Sequence, residues 1–168
     1  NWIDQNRDAV RAAGGIPPLV ALLTGGVDGT EAAAAAALGK LAGNNAANQE
    51  TVRDAGGIPP LVALLSSGVD GTEEAAAAAL GQLVANNAAN QDAVRAAGGI
   101  PPLVALLESG ADGAEEAAAA LWSLTNDNAA NKEAVRASDG GDALIALLMS
   151  GTSRAKTHAA AVLKLLIV

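Results

Sequence analysis

The chain predicts an all-α solenoid, a stack of near-identical helical units in place of a closed core. Three observations carry the prediction. The phrase Gly-Gly-Ile-Pro-Pro-Leu-Val-Ala-Leu-Leu starts at Gly14, Gly56 and Gly98, 42 residues apart each time. A degraded copy, Asp139-Gly140-Gly141-Asp142-Ala143-Leu144-Ile145-Ala146-Leu147-Leu148, follows 41 residues later. Between copies run alanine-rich stretches that open on acids and carry leucine at helical spacing. A fixed period in this range marks units that bury their apolar face only by stacking on neighbours. Residues 1–168 are therefore one domain by continuity, with units at about 6–47, 48–89, 90–130 and 131–168.

Residues 48–89 show the elements in order. Asn48-Gln49-Glu50-Thr51-Val52-Arg53-Asp54-Ala55 reads as a short helix, with Asn48 or Asn45 as its N-cap. Gly56-Gly57 ends it, because glycine reaches the left-handed backbone of a helix C-terminus without strain. Ile58-Pro59-Pro60 turns the chain into a second helix, and proline in a first turn loses no bond it would have made. That helix runs from Pro59 or Pro60 to Ser66, with Leu61, Leu64 and Leu65 on its core face and Gly68 as its stop. The third helix opens at Asp70-Gly71-Thr72-Glu73-Glu74, where Asp70 and Glu73 have capping-box spacing; Asp28/Glu31 and Asp112/Glu115 repeat it. It continues through Ala75–Ala79 to Leu80-Gly81-Gln82-Leu83-Val84. The Gly-Gly-Ile-Pro-Pro phrase is thus a corner between helices, not a phosphate loop.

Composition narrows the function. Hydrophobic residues make up 51 % of the chain, much of it alanine, with no Tyr or Phe, so Leu, Val and Ile supply most of the burial. The formal charge of −8 gives little electrostatic reason to bind nucleic acid or anionic lipid, and favours a basic protein or peptide. No apolar run reaches membrane-span length. The absence of Cys and of a leader-like start favours an intracellular setting. The start Asn1-Trp2-Ile3-Asp4 reads as that of a piece excised or engineered from something longer.

At this point the chain resembles the armadillo repeat family over about residues 6–168. The residues that carry the resemblance are the glycine–proline corners, the Glu-Glu-Ala-Ala-Ala third-helix starts, and Ala120-Leu121-Trp122-Ser123-Leu124, near the family's Ala-Leu-Trp-Asn-Leu. Tetratricopeptide, ankyrin and HEAT units lack this combination. The resemblance implies a right-handed α–α superhelix with about three helices per unit. Its third helices should line a concave surface for a protein or extended peptide. The near-verbatim copies point to recent duplication or to design.

In that family an asparagine ladder often holds the peptide backbone. The ladder position here carries Lys40, Gln82, Ser123 and Lys164, and the position four residues earlier carries Ala36, Ala78, Ala119 and Ala160 instead of the tryptophan of import adaptors. Recognition in the import-adaptor manner is therefore not expected. What remains is an alanine floor with Lys40, Gln82, Trp122, Ser123 and Lys164 as candidate binding residues, or a floor that serves helix packing alone. Trp122 replaces Gly39 and Gly81 and is either a binding anchor or a gap filler. The third-helix acids form either a stripe for basic partners or repeated caps, and Arg154 and Lys156 reverse the sign in the fourth unit. Arg11, Arg53, Arg95 and Arg136 are expected on the outer face or paired with acids.

Catalysis has little to work with. His158 is the single histidine, no cysteine accompanies it, and neither phosphate-loop motif occurs, so no enzyme, cofactor or metal is expected. The last helix ends Ala161-Val162-Leu163-Lys164-Leu165-Leu166-Ile167-Val168, apolar on most sides. Leu163, Leu166, Ile167 and Val168 are candidate self-association residues, end to end or as a symmetric pair. The alternative function is accordingly an engineered or structural self-associating scaffold with no natural ligand.

Overall fold

A computed structural model describes residues 2–25, 29–109 and 113–167. Asp28, Asp112 and Val168, singled out above, lie outside the described residues. Twelve helices occur among those described, three to each unit. The first unit holds α1 (Trp2–Ala12), α2 (Ile16–Gly25) and α3 (Thr30–Ala42), and the second α4 (Ala46–Asp54), α5 (Ile58–Leu64) and α6 (Asp70–Val84). The third holds α7 (Ala88–Ala96), α8 (Ile100–Glu108) and α9 (Gly113–Thr125), and the fourth α10 (Ala129–Ala137), α11 (Gly140–Ser150) and α12 (Ser153–Leu166).

The corner works as its residues dictate. Gly56 sits at φ +75, and the backbone N–H groups of Gly56 and Gly57 donate to the carbonyls of Arg53 and Val52, both at 2.9 Å. Gly57 serves space rather than conformation: a Cβ there would lie 2.8 Å from Val52 Cγ1 and 3.1 Å from Val20 Cγ2 of the preceding unit. In the fourth unit Asp139 takes the left-handed place at φ 57. The second helices start at the isoleucine, one residue ahead of the prolines, and bury Ile58 and Leu61. Leu65 is buried just past the end of α5, while Leu64 is half-buried.

Capping differs from expectation at the third helices. α6 begins at Asp70 itself, after Val69, and Glu73 accepts from the Gly68 N–H at 2.9 Å. The acid at the box position is therefore inside the first turn, and the following acid reaches back to the loop. For the short first helices Asn45 is the cap, accepting from Asn48 N at 3.0 Å, and Asn87 and Asn128 repeat it.

The third helices stack in series, α3 on α6, α6 on α9 and α9 on α12, each with its own second helix behind it. Glycine sets the closeness: a Cβ on Gly39 would come 3.0 Å from Ala79 Cα, and one on Gly81 3.4 Å from Ala120 Cα. The core is a continuous row of leucines and alanines, with Leu38, Leu80 and Leu121 at 0 % exposure. Each such leucine contributes roughly 1.5–3 kcal/mol on burial.

Polar cross-ties join the units. Asn48, Asn90 and Asn131 are fully buried. Each donates its amide to the carbonyl seven residues back, Leu41, Leu83 and Leu124, at 2.9, 2.8 and 2.9 Å. The same amides also reach the preceding first helix, at the carbonyls of Arg7, Gln49 and Gln91. Gln49 and Gln91 reach the other way, donating to the carbonyls of Gln82 at 2.8 Å and Ser123 at 2.9 Å near the end of the following third helix. These ties satisfy last-turn carbonyls that a helix cannot pair internally. The asparagine found above as a candidate cap is thus a bond between units.

Candidate functional site

The surface formed by the third helices carries a groove of about 560 Å³ across α3 and α6. Its floor is Ala32, Ala36, Gly39, Ala75, Ala78 and Ala79, small because these helices pack closely. Lys40 and Gln82 stand exposed on it, as the sequence places them. Gln82 Oε1 and Arg7 Nη2 converge over Gly43, where a Cβ would lie 3.1 and 3.3 Å from them. Glycine at 43 therefore keeps one end of the groove open. Glu74 and Glu116 border the groove from α6 and α9.

A second cavity of about 620 Å³ adjoins it toward the fourth unit, and Glu74 and Glu116 line that one too, with Glu108, Glu115 and Thr152. Glu115 is engaged: it pairs with Arg154 at 3.0 Å and accepts from Thr152 Oγ1 at 2.7 Å. The sign reversal read in the fourth unit thus neutralises Glu115 and leaves Glu116 beside it. Glu74 and Glu116 are half-buried and have no ion-pair or hydrogen-bond partner among the described residues. These two unengaged carboxylates, on neighbouring helices, border both cavities.

The other candidates lie apart. Trp122, 43 % exposed, and half-buried Ser123 bound a hollow of about 60 Å³ with Ala85, Asn86 and Asn126. Lys164 is exposed on α12. At the C-terminal end Leu166 is buried by its own chain, Leu163 is half-buried and Ile167 is 82 % exposed. The Leu166 carbonyl accepts from the Arg136 guanidinium, which closes the end of α12. Arg11, Arg53 and Arg95 pair with local acids, Asp8, Asp54 and Asp92 in turn. Asp8 also accepts from Asn45 Nδ2 at 3.0 Å, and that bond, with the Arg11 guanidinium beside it, lowers its pKa below the ordinary 3.8. His158 is half-buried, and no group of three metal-ligating side chains gathers among the described residues.

Sequence reasoning missed Glu74 and Glu116 as a pair, and Arg7 altogether. The recurring acids were legible; that Glu115 rather than Glu116 takes Arg154 depends on the next unit.

Stacked three-helix units with a small-residue groove across the third helices define a helical repeat protein. The Armadillo/beta-catenin-like repeat model matches residues 4–43, 45–85 and 87–126, and the chain belongs to that family. No curated protein sequence matches it. Among solved structures it is similar to an engineered protein at 31 % identity and a TM-score of 0.92, covering 98 % of this chain and 67 % of that one. A designed armadillo repeat protein matches at 26 % identity and a TM-score of 0.91, over 97 % of this chain and 69 % of its own. A third structure, of computationally designed armadillo repeat proteins for modular peptide recognition, matches at 26 % identity and 0.89, over 96 % and 68 %.

Proposed function

We propose that the chain is a non-enzymatic scaffold that binds an extended basic peptide or protein segment across its third helices. The observation that carries this reading is the pair of unengaged, half-buried carboxylates, Glu74 and Glu116, bordering both cavities. Basic side chains reach these carboxylates while their aliphatic stems lie on the alanine floor. Gln82 offers both a donor and an acceptor to a peptide backbone. The design purpose of the similar peptide-recognising structure supports this use of the groove. A net charge of −8 draws basic segments in and makes the association weaken with salt.

The test is fluorescence anisotropy with a labelled lysine/arginine octapeptide and a glutamate octapeptide as control. The basic peptide should bind in preference, and Glu74→Gln with Glu116→Gln should weaken it about tenfold, roughly 1.4 kcal/mol. Equal binding of both peptides, or an unchanged affinity in the double variant, would sink the reading.

A further inference from the structure

The two end faces of the stack carry residues that, inside the stack, lie buried against a neighbouring unit. At the N-terminal face Val10 is 38 % exposed, whereas Val52, Val94 and Val135 at the same place in later units are at 0 %. Ala37 is half-buried, whereas Ala79 and Ala120 are at 1 % and 0 %. Together with Trp2, Leu19 and Leu41, these two residues line an apolar concavity of about 520 Å³.

The opposite face is its counterpart. Val20, Val62 and Val104 each lean over the next unit's corner, with Cγ2 at 3.1, 3.0 and 3.3 Å from the Cβ positions of Gly57, Gly99 and Gly140. Ile145 holds that place in the fourth unit, 50 % exposed. The first unit offers the matching corner at Gly15, where the three atoms nearest a Cβ all belong to its own Val10. The polar ties match as well. Asn6 stands where Asn48, Asn90 and Asn131 donate backward, and Lys132 stands where Gln49 and Gln91 donate forward.

We propose that the chain stacks head to tail on a second copy, the fourth unit of one on the first unit of the next. The occupant is a second copy because the junction repeats, position for position, an interface this chain already makes three times, with Ile145 in place of valine and Lys132 in place of glutamine. Ile145 would cover the partner copy's corner as Val104 covers Gly140, and the Lys132 ammonium would donate to last-turn carbonyls of the next third helix. Such an interface is heterologous and does not close, so copies add into open chains. The groove then continues across each junction.

Sedimentation velocity over a wide concentration range tests this. The weight-average mass should climb past twice the 16.3 kDa of one chain without a plateau. Ile145→Glu blocks one face and Ala37→Glu the other; each alone should be monomeric, and their mixture should form a one-to-one dimer and nothing larger. Circular dichroism of each variant establishes that it is folded. A parent that stays monomeric, or stops at a dimer, overturns the proposal whatever the variants do. So does self-association of either folded single variant, which would mean symmetric pairing through the remaining face.

Discussion

Replacing Asn90 with alanine probes the cross-ties that make the units one structure. Asn90 is fully buried, and its amide donates to the Leu83 carbonyl at 2.8 Å and the Gln49 carbonyl at 3.3 Å, while its oxygen accepts from Arg53 at 3.3 Å. Leu83 lies in the last turn of α6, where the helix has no donor of its own to offer. Leaving that buried carbonyl unpaired costs about 1–3 kcal/mol, and the weaker bonds and the space left by the carboxamide add to it. A total of about 2–3 kcal/mol should lower the thermal midpoint by roughly 4–12 °C. The control is Asn6→Ala, the same position in the first unit, where the side chain is exposed, compared at a concentration low enough to keep copies apart. That change should stay within about 0.5 kcal/mol. Urea titration followed by circular dichroism measures both. If Asn90→Ala costs no more than Asn6→Ala, the bonds between units are not what couples them.

Gly39→Ala should destabilise the chain, because the new Cβ meets the Ala79 backbone at 3.0 Å; Gly71→Ala, with nothing within 4 Å, should be neutral or stabilising by about 0.4–1 kcal/mol. The two thermal midpoints, compared under one condition, check the sign of each. Asp8 should titrate below 3.8 in a carbon-detected NMR titration, and Asn45→Ala should move it back up. The stability this carboxylate contributes is fully present above its ordinary pKa and is lost as pH falls from there through the lowered folded value. Asp8→Asn should therefore flatten the pH dependence of unfolding in that acid window and leave its shape above it unchanged.

The helices and corners were legible because their causes are local. Glycine needs at Gly56, proline tolerance at Pro59, and leucine spacing along α6 all lie within a few residues of their effect. Asn48 was harder, because asparagine near a helix start serves equally as a cap or as a donor elsewhere. The deciding partner, Arg7, is 41 positions away. The groove followed the same rule. Lys40 and Gln82 were visible as differences between copies, but that Arg154 takes Glu115 and leaves Glu116 depends on how the fourth unit packs. The apolar run around Leu166 reads as open surface in the sequence, yet one side of that helix faces α9 and the Arg136 guanidinium closes its end.

The most direct measurement of the central claim is amide chemical-shift mapping during titration with the basic octapeptide. Shifts should concentrate at Lys40, Gly43, Glu74, Ala78, Gln82 and Glu116, with the outer face of α1, α4 and α7 quiet. Shifts confined to that outer face, or spread evenly over the chain, would contradict a binding surface on the third helices.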